Sequence, residues 1–124
     1  MEKKKVLVVD DEENVRRLLL SMLRNKYIVL EAKDGEVAID IARSQGPDII
    51  LMDIMMPNID GYTACYTIKQ DPVTKAIPIV MLTAIGYELN VKFSQEMGAN
   101  GYVTKPFSPQ DLLDTIGQFL KSPE

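Results

Sequence analysis

The chain has 124 residues, of which 46% are hydrophobic and 26% charged, with a net charge of −4 and no histidine. That length is one folded unit by the usual size prior, and the composition excludes disorder and collagen-like repeats. The single cysteine, Cys65, excludes a disulfide framework; the absence of histidine removes the common zinc patterns and every Ser-His or Cys-His nucleophile pair. The acidic balance argues against direct nucleic-acid binding.

At the N-terminus Lys3, Lys4 and Lys5 lead into Val6–Val9, which runs straight into Asp10, Asp11, Glu12 and Glu13. A secretory signal needs roughly seven to fifteen apolar residues and a membrane span about twenty, so the lysines read as the solvated end of a soluble, cytoplasmic protein with no membrane insertion. Val6–Val9 predicts a first strand. Val15, Leu18, Leu19, Met22 and Leu23 then recur at helical spacing, which predicts an amphipathic helix with all five on its buried stripe. Tyr27–Leu30 predicts a second strand, and Asp34-Gly35-Glu36 opens a helix carrying Val37, Ala38, Ile41 and Ala42, closed by Gly46 and Pro47.

Asp48–Met52 predicts a third strand, and Gly61–Gln70 a helix with Ala64, Cys65 and Ile68 inward. Ile79–Leu82 predicts a fourth strand, followed by a helix over Tyr87–Met97 with Leu89, Phe93 and Met97 as its inner line and Gly98 at its end. Gly101–Thr104 predicts the fifth strand. In the final helix Ser108 caps, Pro109 suits the first turn, Asp111 favours the N-terminal dipole, and Leu112, Leu113, Ile116 and Leu120 face the sheet. Four of the five strand runs are continuously apolar, as expected of strands covered on both faces.

Five strands and five helices in strict alternation predict an α/β, doubly wound, five-stranded parallel sheet with right-handed crossovers. Ligands in such sheets bind beyond the carboxyl ends of the strands, where the winding reverses. With strand order 2-1-3-4-5, Asp10 and Asp11, Asp53, Thr83, and Lys105 with Pro106 meet in one pocket. The second strand, ending at Glu31 and Ala32, brings nothing obviously chemical. Each of these residues alone has a plain reading as a cap, a turn former or a solvated lysine. Together, three mutually repelling carboxylates call for a hard cation with oxygen ligands, and magnesium fits best.

The segments Val8–Asp11, Met52–Pro57, Asp60-Gly61, Leu82–Ala84 and Lys105–Phe107 resemble the receiver domain of two-component response regulators, of the single-domain, chemotaxis-regulator-like kind. The resemblance runs from Lys5 to Leu120 and implies a flavodoxin-like (βα)5 fold with residues 1–124 as one receiver domain. It implies that Asp53 accepts a phosphoryl group from a histidine kinase or histidine phosphotransfer protein. Asp11, Asp53 and the backbone carbonyl of Met55 would hold Mg2+ (or Mn2+) directly, with Asp10 acting largely through water. Thr83 and Lys105 would contact phosphoryl oxygens, and the Lys105–Pro106 bond would be cis. Ala84 would leave room for Tyr102 to turn inward, switching a face made by the fourth helix, fifth strand and fifth helix for a downstream protein target. That face would be reached through Gly86 and Tyr87.

Further expectations follow. The donor would dock around Asn14, Val15 and Pro106–Ser108. Apolar Met55 and Ile85, at the mouth of the site, would leave the acyl phosphate long-lived, so the chain would promote its own phosphorylation and slow dephosphorylation without being a turnover enzyme. The starting Met1 fits a stand-alone receiver, although a fragment of a longer regulator stays open. A haloacid-dehalogenase-type hydrolase would want an aspartate where Met55 stands, and an FMN protein a glycine- and hydroxyl-rich loop where Asp10–Glu13 stand. A phosphorylation-independent scaffold would carry a disabled site. Gly61 reads as a turn glycine with positive φ, and Cys65 as a small buried hydrophobe without a cationic neighbour.

Overall fold

The computed structural model describes residues 3–84 and 88–120, with no side-chain detail for 84 and 88–91. Its strands are β1 (Lys5–Val9), β2 (Ile28–Ala32), β3 (Ile49–Asp53), β4 (Ile79–Ala84) and β5 (Gly101–Lys105). Its helices are α1 (Glu13–Leu23), α2 (Gly35–Gln45), α3 (Gly61–Gln70), α4 (Glu88–Glu96) and α5 (Pro109–Leu120). All strand pairs are parallel, in the order β2-β1-β3-β4-β5. The predicted fold class and strand order are those observed.

The continuous apolar runs follow from the two-residue period of a strand. Leu7, Val9, Ile50, Met52, Ile79 and Met81 turn to one face, against Ala38 and Ala42 of α2 and Ala64, Cys65 and Ile68 of α3. Val6, Val8, Ile49, Leu51, Val80 and Leu82 turn to the other, against Leu19 and Leu23 of α1 and Leu112 and Ile116 of α5. Both faces are therefore buried over Val6–Val9, Ile49–Asp53 and Ile79–Thr83, each large apolar side chain contributing about 1.5–3 kcal/mol of transfer free energy.

Helix ends are set by short polar side chains and glycine. Asp34 accepts from the Val37 N–H (2.9 Å), Asp60 from the Thr63 N–H (2.8 Å) and Ser108 from the Asp111 N–H (3.0 Å). Each such cap is worth about 1 kcal/mol. Gly46 and Gly98, at φ 55° and 100°, lie at the ends of α2 and α4 in the left-handed region.

Several expectations fail for identifiable reasons. As an edge strand β2 is not covered on both faces: Ile28 is exposed, and Val29 and Leu30 are half-buried. Tyr27 and Asp48 lie outside the ladders; the Tyr27 N–H bonds the Leu23 carbonyl and the Asp48 carboxylate accepts from the Lys5 N–H. Leu18 is not on the buried stripe of α1 but 49% exposed, beside Val15 and Phe107. Phe93 is likewise exposed, while Ser94 is buried.

The reason for the last exchange is that α4 packs on α3 as well as on the sheet. The Tyr62 ring meets Phe93 edge-on, with centroids 4.6 Å apart and planes at 89°, and the Tyr62 hydroxyl bonds Ser94. One turn on, Cys65 Sγ lies 3.7 Å from the Met97 carbonyl, and the Lys69 stem lies against Gly98. Residues 62, 65 and 69 form one line along α3.

Candidate functional site

The carboxyl ends of β1, β3, β4 and β5 bring the polar residues together. Asp10 follows β1 and is fully buried. Its N–H bonds the Ala32 carbonyl (3.2 Å), and its Oδ1 accepts from the Glu12 N–H (2.9 Å). Asp53, the last residue of β3, is also buried, with Oδ1 2.8 Å from Lys105 Nζ. The same ammonium lies 3.6 Å from Asp10 Oδ2. Ladder register sets Asp53 beside Leu82, Thr83 beside Thr104 and Ala84 beside Lys105, so the chemical groups end their strands at one level. The Lys105–Pro106 peptide is cis.

Burial pushes the Asp10 carboxyl above its usual range; the Glu12 N–H opposes this, and repulsion from Asp53 adds to it. Burial also raises Asp53, against the hydrogen bond and charge of Lys105. For Lys105, burial acts downward, but Asp53 and then Asp10 outweigh it, so the ammonium is held more firmly than usual. One lysine thus serves two buried carboxylates, and the cluster remains short of positive charge.

Two buried side-chain atoms, Asp10 Oδ2 and Thr83 Oγ1, have no hydrogen-bond partner among the described residues. Buried polar atoms are rarely left in that state, because each costs about 1–3 kcal/mol. Asp10, Asp11 and Glu12 can bring carboxylate oxygens within 4.8 Å of one another, Asp11 and Glu12 from exposed positions. An orphaned buried carboxylate oxygen within an all-oxygen donor set suits a divalent cation such as magnesium.

The remaining predicted residues are placed as follows. The Met55 side chain is 80% exposed just beyond β3, whereas its neighbour Met56 enters the core. Tyr102 is exposed on β5. Ala84 ends β4, and Ile85, Gly86 and Tyr87 lie outside the described residues. Gly61 does not have positive φ. A Cβ there would overlap the Asp53 carbonyl oxygen outright and stand 2.8 Å from Ile54 Cα, so glycine is required for close backbone approach. Cys65 does have a cationic neighbour, Lys69, but burial dominates and pushes the thiol up to about 11.

A family model for the response regulator receiver domain matches residues 6–117. The chain belongs to this family. Among its relatives, the probable transcriptional regulator ycf27 of Guillardia theta is 45% identical over 122 residues, covering 96% of this chain and 46% of that protein. A solved chain from Chloroflexus aurantiacus, described as a response regulator, is 38% identical at a TM-score of 0.93, covering 98% of this chain and 100% of that one. The receiver domain of the sensor histidine kinase PA1611 from Pseudomonas aeruginosa is 30% identical at a TM-score of 0.89, covering 97% and 99%. It was solved with a magnesium ion coordinated in its active-site cleft. The chain spans about half the length of the curated relatives it matches. Receiver domains are signalling modules rather than turnover enzymes, and no helix among the described residues is long and apolar enough to cross a membrane.

Two residues outside the predicted set also border the strand ends. Glu31, at the end of β2, is not idle: its Oε1 lies 3.2 Å from Arg16 Nε. Arg16 Nη1 in turn donates to the Asp10 carbonyl at 2.8 Å. Opposite charges at the second strand end and on the fourth residue of α1 were the available signal.

Proposed function

We propose that this receiver domain, residues 1–124, takes a phosphoryl group onto Asp53 from a histidine kinase or histidine phosphotransfer protein in a magnesium-dependent reaction. The observation that carries this reading is the pairing of Asp53 with Lys105 beside two buried oxygens, Asp10 Oδ2 and Thr83 Oγ1, that make no hydrogen bond among the described residues. A carboxylate oxygen of Asp53 attacks phosphorus, the bond to the donor nitrogen breaks, and an acyl phosphate remains. Acyl phosphate formation raises the local charge from one negative unit to nearly two and adds acceptor oxygens. Lys105 then pairs with a phosphoryl oxygen, and the Thr83 hydroxyl donates to another, which gives Thr83 Oγ1 the partner it lacks.

Asp11, Asp53 and the Met55 carbonyl would hold the magnesium directly, with Asp10 acting through water; manganese would serve in its place. When bound, the ion neutralises the carboxylates and the charge that develops on the phosphoryl oxygens. A shallow groove of about 190 Å3, lined by Val15, Leu18, Lys105, Pro106 and Phe107, opens beside the site. Its apolar rim suits a helix of the donor, consistent with docking around Asn14, Val15 and Pro106–Ser108. Withdrawal of Thr83 toward the phosphoryl group lets Tyr102 turn inward past Ala84 and switches the α4-β5-α5 face for a protein target. The unit works in the cytoplasm through protein contacts and does not itself bind nucleic acid.

The test is acetyl phosphate labelling with and without magnesium, read by mass and by phosphate-affinity electrophoresis. Wild type should take up one phosphoryl group only when the ion is present, and Asp53→Asn none. Stable labelling of Asp53→Asn at the wild-type rate refutes the assignment.

A further inference from the structure

Asp10 is immobilised on every side but one. Its N–H is tied to β2 through Ala32, its Oδ1 to the Glu12 N–H, and its carbonyl to Arg16 Nη1, leaving Oδ2 without a hydrogen bond and 3.6 Å from the Lys105 ammonium. The Arg16 side chain is only 16% exposed, and its Nε is held by Glu31 at 3.2 Å. Its backbone N–H closes the first turn of α1 onto the Glu12 carbonyl. One residue therefore ties together the exits of β1 and β2 and the start of α1.

The carbonyl that Arg16 grips belongs to the peptide joining Asp10 to Asp11. A peptide unit is planar, so fixing that carbonyl also fixes the Asp11 N–H and the direction in which the Asp11 Cα leaves the strand. The charge of Arg16 needs a second explanation. A free guanidinium beside Asp10, Asp11, Glu12 and Asp53 would fold onto a carboxylate and compete with a cation for it. Glu31 prevents this by taking Nε and matching the charge, so that the guanidinium offers a hydrogen bond to a neutral carbonyl. The task needs two donors at a fixed angle, which lysine lacks.

We propose that Arg16, steered by Glu31, is a positioning residue for the divalent-cation site: it locks the Asp10–Asp11 peptide so that both carboxylates are presented together. This rests on the reading of the acidic cluster as a cation site. The experiment is calorimetric titration of Mg2+ and of Mn2+ into wild type, Arg16→Gln, Arg16→Lys and Glu31→Gln, each first shown by thermal melting to fold cooperatively. Arg16→Gln and Arg16→Lys should each weaken binding about tenfold, the scale seen when groups that orient metal ligands are removed. Glu31→Gln, at a partly exposed position that folding tolerates, should weaken it about threefold and carries the test if Arg16→Gln does not fold. Failure of Arg16→Lys to recover affinity separates positioning from charge and packing, which lysine largely keeps. Wild-type affinity in Arg16→Lys or in Glu31→Gln overturns the inference while leaving the cation site intact. Absence of Mg2+ binding by wild type overturns the site and the inference together.

Discussion

Alanine in place of Gly61 is the most direct probe of how α3 is seated against β3. The added Cβ meets the Asp53 carbonyl oxygen, Ile54 Cα at 2.8 Å and the Asp53 carbonyl carbon at 3.0 Å, all of them backbone atoms that no rotamer change can move aside. The Gly61 N–H also bonds the Ile54 carbonyl at 2.8 Å, so retreat of the helix would break a hydrogen bond. Alanine normally gains about 0.5–1 kcal/mol over glycine in a helix. Overpacking costs about 1–3 kcal/mol, and rigid neighbours place this site at the upper end, for a net loss of about 2 kcal/mol. For a chain of 124 residues 1 kcal/mol corresponds to about 4 °C in Tm, so calorimetry should show a fall of about 8 °C. Acetyl phosphate labelling should slow as well, because the displaced backbone carries Asp53. Gly117 in α5 is the internal contrast: a Cβ there meets nothing within 4 Å, and Gly117→Ala should raise Tm by about 2–4 °C. An unchanged or higher Tm for Gly61→Ala would refute the close-approach argument.

Two further outcomes are expected. The folded-state pKa of Asp10 lies above its ordinary 3.8, so the metal-free fold binds that proton more tightly than the unfolded chain, and stability falls as pH rises through the folded value. Asp10→Asn keeps an acceptor for the Glu12 N–H and removes the buried charge. Its melting temperature should exceed that of wild type in metal-free buffer at pH 7, by about 1–3 kcal/mol of stability, and the difference should close toward pH 4. A constant difference across that range would contradict the cause given. Met55→Asn places a water-orienting amide at the mouth of the site and should accelerate loss of label from the purified phosphoprotein, as should Ile85→Glu; unchanged decay in both would remove the two residues from rate control.

The fold was legible because Val6–Val9, Ile49–Met52 and Ile79–Leu82 are apolar at every position and the helices between these strands carry clear inner stripes. The strand-end residues were legible for the same reason: once the order is known, Asp10, Asp53, Thr83 and Lys105 have to meet. What escaped notice depends on neighbours that no local pattern announces. Leu18 has the spacing of a core residue but borders a groove, and Phe93 yields the interior to Ser94 because α3 lies alongside. Gly61 was recognised as a special glycine but for the wrong cause, since a tight backbone contact between β3 and α3 leaves no trace in turn chemistry. Arg16 reaches a carbonyl oxygen, an atom every residue has, so its opposite charge to Glu31 was the one trace of this contact in the sequence.

The seam between α3 and α4 gives the domain a lever. A ten-residue helix is about 15 Å long and stiff, with its first residue against the Asp53 carbonyl, Tyr62 against α4, and Cys65 and Lys69 against Met97 and Gly98 just beyond it. A tilt of about five degrees at the Gly61 end moves the Lys69 end by about 1 Å, close to the slack in a packed interface. Load applied to Phe93 from outside reaches the same helix at its first turn, since its ring rests on the residue next to Gly61. The Asp53 backbone and the exposed aromatic of α4 thus bear on adjacent residues in the first turn of one stiff helix.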